Sequence, residues 1–268
     1  MKISIIMGTH NGEQVLATAI ESIQAQTITD WQLIICNDNS TDRTQTLLED
    51  YASLDPRIKL LKNNQQSGLS YALNRCIAYS HGEFIARMDD DDICHPERLA
   101  QQLAAFAQHP QVSLVGCNAT LFSEKDGNYG ERNVPQQPTA DQVFHGQNFI
   151  HPTVMIRRAD LLSVGGYTVS RHVLRAEDFD LWCKLYAHGF IGINLPQRLF
   201  YYREDQRNVR RRNAQQYRNV AYIMHAWQSY LPLTAKNRLY PLVPLLKSWV
   251  PTILVQRLHY RQHFAREE

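Results

Sequence analysis

The amino-acid sequence predicts an α/β fold with a mostly parallel central sheet and helices on both of its faces. Two observations support this prediction. Up to residue 117, apolar β-branched runs alternate four times with segments that carry a helical apolar stripe, and such alternation is typical of parallel sheets covered by helices. The polar segments 9–13, 38–42 and 89–92 each follow a predicted strand, which is where ligands bind in such sheets.

The elements of this first half follow from the residue pattern. Strands are predicted from short apolar runs, and helices from apolar residues that share one face, such as Leu69, Leu73 and Ile77. In chain order we predict a strand at 3–7, a helix at 13–24, a strand at 31–36, a helix through Tyr51, a strand at 58–61, a helix opening at Gly68, a strand at 84–88, a helix through Leu103 and a strand at 112–115.

After Cys117 the pattern changes to loops and shorter strands with intervening glycines and prolines, which predicts a mixed α+β half. A strand is predicted within 151–156 and a helix from 176 to about 188. We therefore divide the chain into a main domain, 1–203, with halves 1–117 and 118–203, and a C-terminal extension, 204–268.

Composition restricts the class of protein. The five cysteines are scattered and include no C-x-x-C pair, which argues against a disulfide framework or a zinc site and favours a reducing cytoplasm. The N-terminus runs directly into a strand pattern, so we expect no signal peptide. Residues 198–268 hold 13 Lys/Arg and 4 Asp/Glu, whereas residues 1–197 hold 15 and 22. An acidic body with a basic tail indicates two tasks.

Four consecutive aspartates, Asp89 to Asp92, end the predicted strand at 84–88. In an extended backbone Asp89 and Asp91 share one face, and two carboxylates there suit Mg²⁺ or Mn²⁺ together with phosphate oxygens. We predict a divalent-metal site that holds a diphosphate. The alternative is an acidic surface turn before a helix. The first turn, 8–12, is neither G-x-G-x-x-G nor a P-loop, which disfavours a dehydrogenase or a P-loop NTPase.

The motifs together resemble those of the GT-A-fold (nucleotide-diphospho-sugar transferase), family 2 inverting glycosyltransferases of bacterial surface polysaccharide synthesis. The resemblance spans residues 3–199. Its pieces, given by position, are 4–13, 22–27, 37–42, 68–74, 82–93 and the Glu177-Asp178 pair. It implies that 1–203 is a GT-A catalytic domain, with a nucleotide-binding half (1–117) and an acceptor-binding half (118–203).

The resemblance also implies roles for single residues around the donor, a nucleotide-sugar. Asp38 would accept a hydrogen bond from the base, although an ordinary turn residue is the alternative. Arg87 would add positive charge near the diphosphate, or simply pair with an aspartate. The remaining residues implied to line the nucleotide-sugar pocket are Thr9, His10, Asn11, Glu13, Gly68, Asn74, Asp89 and Asp90.

Metal and acceptor residues are implied in the same way. Asp89 and Asp91 would bind Mn²⁺ or Mg²⁺, and Asp178 would be the catalytic base, with helix capping as its alternative. His151 and Glu177 would contact the acceptor, a glycan or lipid-linked glycan, although His151 is equally an ordinary loop histidine. Many family members carry an Arg-x-His near the equivalent of Tyr202-Arg203, but Glu204 and Asp205 follow here, so a third, histidine metal ligand from that loop is not expected. The Q-x-x-R-W signature of processive synthases is absent. We therefore expect the transfer of a single sugar.

The extension 204–268 is predicted to be a basic, amphipathic helical segment. Val220, Ile223, Met224, Trp227 and Leu231 indicate one helix, and the apolar stretch 239–255 contains three prolines and a lysine, which disfavours a spanning helix. Aromatic and basic residues suit a membrane interface, and packing back onto the main domain is the alternative. These residues are Tyr240, Trp249, Arg257, Tyr260, Arg261 and Arg266.

The sequence therefore favours a metal-dependent glycosyltransferase that uses a nucleotide-sugar, expected to be UDP-linked. We place it in the cytoplasm, peripheral on the inner face of the bacterial membrane. Two alternatives remain: a sugar-1-phosphate nucleotidyltransferase, which would want a basic residue in the 8–13 loop, and a non-catalytic membrane-associated nucleotide-binding module. Nucleic-acid binding is not expected, because no known binding module accompanies the arginines.

Overall fold

The computed structural model describes residues 2–63, 67–204 and 214–249. Within them all the strands belong to one sheet. The strands are β1 (Ile3–Thr9), β2 (Trp31–Asn37), β3 (Ile58–Lys62), β4 (Phe84–Arg87), β5 (Ile93–Cys94), β6 (Leu114–Ser123), β7 (Gly127–Arg132), β8 (Met155–Arg157) and β9 (Gly192–Arg203). Their order is β3-β2-β1-β4-β8-β6-β9-β5, and β7 pairs with β6.

The helices α1 to α7 lie between strands in the sequence, and α8 and α9 follow β9. They are α1 (Leu16–Gln24), α2 (Thr44–Leu54), α3 (Leu69–Ala78), α4 (Arg98–Gln108), α5 (Ala140–Phe144), α6 (Arg158–Ser163), α7 (Glu177–Ala187), α8 (Ala214–Trp227) and α9 (Leu242–Lys247). Short 3-10 helices span His151–Thr153 and Ala235–Leu239. The predicted strand–helix alternation of the first half is confirmed, with element boundaries shifted by only a few residues.

The first half is a parallel sheet whose strands end at the same edge. β1 pairs in parallel with both β2 and β4, and β2 pairs in parallel with β3. The last residues of β1, β2 and β3 are register neighbours, because Thr9 pairs with Asn37 and Asn37 with Lys62. The loops that follow these strands therefore leave the sheet side by side.

Two apolar cores cover the two faces of the sheet. Because side chains alternate along a strand, Ile3 and Ile5 of β1 face a core shared with α1 and α4, whereas Ile6 faces a core shared with α3 and α7. The prediction of helices on both faces is thus confirmed, and the chain has the α/β architecture with a mostly parallel, curled sheet.

The second half departs from the predicted short strands. β6 extends to Ser123, well past the predicted end at 115, and pairs in parallel with the twelve-residue β9. The register of that pair shifts near Asn118, so inside and outside positions change along the strands and no single alternation marks them in the sequence. The strand predicted within 151–156 is correct only at its end, because His151–Thr153 forms a 3-10 helix before β8.

The described part of the extension packs onto the main domain. Ile223 and Met224 of α8 are buried in the same core as Leu181 and Trp182 of α7, and Trp227 Nε1 donates to Asp180 Oδ1 at 2.9 Å. Of the residues predicted to form an amphipathic helix, Val220, Ile223, Met224 and Trp227 lie on α8 and Leu231 lies beyond its end, and for α8 the alternative of packing back describes it. Arg257, Tyr260, Arg261 and Arg266, predicted to suit a membrane interface, lie outside the described residues. None of the described helices is long and apolar enough to cross a membrane.

Candidate active site

The aspartate run forms a compact turn instead of continuing the strand. β4 ends at Arg87, and Asp90 and Asp91 form a turn before β5. The extended geometry expected from the sequence is therefore wrong. The turn gathers one carboxylate oxygen from each of Asp89, Asp91 and Asp92 within 4.8 Å of one another. Three hard oxygen donors at this spacing can ligate a divalent cation. Asp92 is the ligand candidate that the strand argument missed.

Burial and mutual repulsion disfavour negative charge on these carboxyls. Burial, with repulsion from Asp89 and Asp90, raises the pKa of Asp91 to about 7. Burial also raises the pKa of Asp90 to about 6 and that of Asp92 well above its usual range. Among the described residues, Asp92 Oδ2 is buried without a hydrogen-bond partner. A bound divalent cation would satisfy that oxygen and neutralise the repulsion, so the donor set fits Mg²⁺ or Mn²⁺.

Arg203 of β9 is hydrogen-bonded to the aspartate turn. Its backbone N–H donates to Asp92 Oδ1 at 2.7 Å, and its side-chain Nε donates to the Asp91 carbonyl oxygen at 2.9 Å. A third bond, from Nη1 to Glu124 at 3.1 Å, fixes the guanidinium. β9 therefore brings Arg203 to the aspartate turn.

Arg87 lies between the two acidic groups of the site. Its guanidinium is 2% exposed and forms an ion pair with Asp89, so the pairing offered as the alternative is present. The same positive charge acts on Glu177 and Asp178, where it opposes the effect of burial on their pKa values. Arg87 therefore links the metal cluster to the predicted base electrostatically.

The loops after β1 and β2 are tied to each other and to the aspartate turn. Thr9 Oγ1 donates to Asp90 Oδ2, and Gly12 N–H donates to Thr44 Oγ1 at 2.9 Å. Asn11, with a positive φ of 56°, accepts from the Thr41 N–H, and Glu13 accepts from the Arg43 N–H. A side chain at Gly12 would meet Thr9 Oγ1 at 2.6 Å. Thr9 therefore lies beside Asp90, whereas Asn11 and Glu13 contact the loop after β2.

Asp38 is an anchor at the end of β2. Its two carboxylate oxygens accept from Asn63 Nδ2 at 2.8 Å and from the Gly68 N–H at 2.7 Å. His10 is exposed and donates from Nδ1 to the Asp38 carbonyl oxygen at 2.7 Å. Asp38, Gly68 and His10 are thus brought together at the same edge as Thr9, and their predicted contact with a nucleotide base stays a prediction.

Asn74 contacts the second half of the domain through both atoms of its amide. Its Nδ2 donates to the Tyr167 carbonyl oxygen at 2.7 Å, and its Oδ1 accepts from the Tyr167 N–H at 2.9 Å. Lys184 Nζ donates to the neighbouring Gly166 carbonyl at 2.9 Å. Asn74 therefore braces the turn that presents Tyr167, and its predicted place under the nucleotide stays a prediction.

Glu177 and Asp178 begin α7, with three acidic residues in its first turn. Burial raises the pKa of Asp178 above its usual range and that of Glu177 to about 7. Asp178 Oδ1 accepts from the Phe179 N–H at 2.8 Å, and the positive charges of Arg132 and Arg87 lower its pKa in part. A carboxylate in such surroundings has a high proton affinity, as a general base requires.

His151 is held against aromatic side chains. Its Nε2 lies 2.8 Å from the Tyr167 hydroxyl oxygen, and its ring contacts Trp182 edge-on. Burial and the charge of Arg87 lower the pKa of His151 well below its usual range, so the ring is neutral. The sequence pattern did not single out Tyr167. Burial raises the pKa of its hydroxyl, the charge of Arg87 opposes this, and the charges of Asp178, Glu177 and Asp89 add to it. The Gly165-Gly166 turn before Tyr167 was the only available signal.

The fold is that of the GT-A glycosyltransferases. The chain belongs to glycosyltransferase family 2: the model of that family, "Glycosyl transferase family 2", matches residues 4–179. Putative glycosyltransferase EpsE of Bacillus subtilis is 34% identical over 268 residues, covering 100% of this chain and 96% of the relative. The amylovoran biosynthesis glycosyltransferase AmsE of Erwinia amylovora is 26% identical, with 96% and 97% covered.

A third relative is UDP-Glc:alpha-D-GlcNAc-diphosphoundecaprenol beta-1,3-glucosyltransferase WfgD of Escherichia coli, 29% identical over 68% of this chain and 69% of the relative. Among solved structures, Staphylococcus aureus TarS in complex with UDP-GlcNAc has a TM-score of 0.71 at 18% identity, covering 100% of this chain and 76% of TarS. The mannosyltransferase PcManGT from Pyrobaculum calidifontis, solved with GDP-Man and Mn²⁺, has a TM-score of 0.67 at 16% identity, with 97% and 75% covered. These structures confirm the GT-A fold.

Proposed function

We propose that this chain is an inverting, metal-dependent glycosyltransferase that moves one sugar from a UDP-hexose or UDP-N-acetylhexosamine to a lipid-linked or oligosaccharide acceptor in bacterial surface glycan synthesis. The observation that carries the proposal is the turn of Asp89, Asp91 and Asp92, which lies beside the nucleotide loops and is linked through Arg87 to Asp178. The donor and the lipid-linked acceptor named for WfgD, and the UDP-GlcNAc complex of TarS, support the choice of substrates.

On the donor side, the first-half loops bind and orient the nucleotide. Asp38 and His10 face the base, and Thr9, Asn11 and Glu13 line the ribose and phosphates, together with Gly68 and Asp90. Asp89, Asp91 and Asp92 would hold Mn²⁺ or Mg²⁺, which neutralises charge on the leaving diphosphate when bound. Arg87 holds the carboxylate of Asp89 in place through their ion pair, in which the Arg87 side chain is buried.

On the acceptor side, Asp178 Oδ takes the proton of the attacking hydroxyl. The new bond forms between the acceptor oxygen and the anomeric carbon, while the bond from that carbon to the diphosphate oxygen breaks and its electron pair leaves with UDP. Attack from the face opposite the leaving group inverts the configuration. General-base catalysis of this kind contributes roughly 10²–10⁴-fold. Glu177 and His151 contact the acceptor and orient its hydroxyl.

Two other functions are weaker. A sugar-1-phosphate nucleotidyltransferase would need a cation in the loop after β1, and 8–13 contains no lysine or arginine. A non-catalytic nucleotide-binding module would not need Asp178 in a setting that raises its pKa. We further propose a cytoplasmic enzyme, peripheral on the inner membrane face, where a lipid-linked acceptor would be reached.

Titration of UDP by calorimetry, with and without Mn²⁺, tests the donor site. We expect Mn²⁺ to strengthen UDP binding at least about tenfold, and Asp91→Asn to remove that gain, since the amide keeps the shape and loses the charge. Asp50→Asn, an exposed carboxylate of α2, is the matched control and should keep the gain. UDP binding that ignores Mn²⁺ in the wild type would contradict the proposal. Hydrolysis of a panel of nucleotide-sugars then identifies the donor.

A further inference from the structure

The short helix α9 carries its apolar stripe outward. Leu242, Leu245, Leu246 and Trp249 follow the i, i+3, i+4, i+7 spacing of one helical face, and their exposed fractions are 52%, 41%, 66% and 78%. Leu239, just before the helix, is 72% exposed. We call these five residues the Leu242 stripe. The buried positions of the same segment are Pro244 and Ser248.

This orientation is the reverse of that of an ordinary helix packed on the core of a globular protein. An amphipathic helix ordinarily buries its leucines and exposes its polar face. Here α9 packs against α8, and the residues that this segment buries are Pro244 and Ser248 instead of its leucines. A contiguous exposed patch of leucine and tryptophan marks an interaction surface and is not scattered surface apolarity. We therefore expect the Leu242 stripe to contact a binding partner.

The composition of the sequence on both sides of the stripe indicates an anionic occupant. From 206 to 266 the sequence contains 11 Lys/Arg and no Asp or Glu. Lys247, between the exposed leucines and Trp249, is itself exposed. Leucines that enter the acyl region, a tryptophan at headgroup level and basic residues beside anionic headgroups form the pattern by which short helices lie in a membrane interface. The stripe is also too short to span a bilayer.

We propose that the Leu242 stripe docks on an anionic lipid bilayer, with α9 lying in the interface and Lys247 beside the headgroups. The inference deepens the proposed function, since it rests on a lipid-linked acceptor for its purpose: α8 connects the docked helix to α7, so the end of the domain that carries Asp178 would stay near the membrane. The proposed docking surface lies within residues 239–249. Its binding to membranes can be measured without any transfer reaction.

Co-sedimentation of the full chain with vesicles tests the proposal. We expect binding to vesicles of phosphatidylcholine with phosphatidylglycerol, and about fivefold or more weaker binding to phosphatidylcholine alone. Leu242→Glu with Leu246→Glu should weaken binding to the anionic vesicles more than about tenfold, because two leucines that would enter the acyl region are lost and two charges of the same sign as the headgroups are added. Leu54→Glu, at an equally apolar and 82% exposed position on α2, is the matched control and should bind like the wild type.

Tryptophan fluorescence gives a second readout. Trp31 and Trp182 are buried and Trp249 is 78% exposed, so anionic vesicles should protect the fluorescence from an aqueous quencher, and Trp249→Phe should remove most of that protection. Three results would overturn the proposal. The first is no binding of the wild type to anionic vesicles, and the second is binding that the double variant retains. The third is a wild type that does not bind vesicles together with a double variant that changes the oligomeric state or lowers the melting temperature. The Mn²⁺-dependent titration of UDP is unaffected by any of these, so it fails only if the donor assignment fails.

Discussion

The two halves of the main domain build their parts of the site in different ways. In the half that holds β1 to β4, every predicted donor residue except Asn74 lies at a strand end or in the loop or turn that follows one, and contacts between loops, such as Thr9 with Asp90, fix the arrangement. In the other half, Asp178 lies at the start of a helix that is far in sequence from the segments that brace it. The first arrangement follows from topology, because parallel strands that end together deliver their loops to one edge.

The second arrangement depends on side chains that hold a loop. Before α7, Arg175 has a positive φ of 62°, an uncommon conformation for a long side chain. Asn219 of α8, 2% exposed, donates from Nδ2 to the carbonyl oxygens of Arg171 at 3.1 Å and Leu174 at 2.9 Å, and Gln216 donates to the Arg175 carbonyl at 2.9 Å. The extension thus holds the segment that leads into Glu177 and Asp178. The start of α7 therefore depends on support from the extension, whereas the aspartate turn is supported by Thr9 and Arg203 from within the main domain.

The largest expected effect separates the halves by removing the base alone. Asp178→Asn keeps the size of the side chain but cannot take a proton, so transfer should fall about 10²–10⁴-fold. Affinity for UDP with Mn²⁺ should stay within about threefold, because the donor loops are untouched. Initial rates and calorimetric titration measure the two quantities. If the affinity for UDP collapses along with the rate, Asp178 is not the base of an independent acceptor half.

A smaller effect tests the remote support. Asn219→Ala removes the donor of two hydrogen bonds to backbone carbonyl oxygens, at a cost of about 1–3 kcal/mol for the two together, and should lower kcat about tenfold while the Kd for UDP is unchanged. Asn194→Ala is the matched control: Asn194 Nδ2 also donates to two carbonyls, those of Pro135 at 2.8 Å and Asn148 at 3.1 Å, away from the Arg175 segment. Both variants should lose similar stability on urea unfolding. Equal losses of kcat in both would reduce Asn219 to a structural residue.

The same contrast explains what could be predicted from the sequence. The donor half was readable because each strand is an apolar run and its chemistry follows within a few residues, as with Thr9 and Asp38. Asp89 and Asp91 were found from the contiguous acids, but Asp92 was missed because a turn, not an extended strand, brings its carboxylate to the cluster.

The acceptor half was less readable because its contacts join distant segments. Tyr167 and Arg203 reach the site only through pairings with Asn74 and with the aspartate turn, at sequence separations of 93 and about 111 residues, and no local pattern records such contacts. The pattern of α8 predicted an apolar face, but not that the face covers α7. For α9 the same pattern predicted an apolar stripe, but not that the stripe faces outward.

The smallest expected effect concerns the pH dependence of stability at the aspartate turn. Because burial raises the folded pKa values of Asp90 and Asp91 to about 6 and 7, the folded chain holds protons that the unfolded chain has already released above about pH 4. The folded state binds more protons in this window, so its stability falls as pH rises from about 5 to about 8.

A divalent cation requires the deprotonated carboxylates, so its stabilising effect should grow in the same direction. We expect Mg²⁺ or Mn²⁺ to raise the melting temperature by about 3 °C or more near pH 8 and by less near pH 5. Scanning calorimetry at both pH values measures this, and Asp91→Asn should reduce both the pH slope and the gain from metal, because the amide neither titrates nor attracts the cation. A metal gain that is larger at the acidic pH would mean that the cation binds away from Asp89, Asp91 and Asp92, and the donor half would then lack the charge balance on which its mechanism depends.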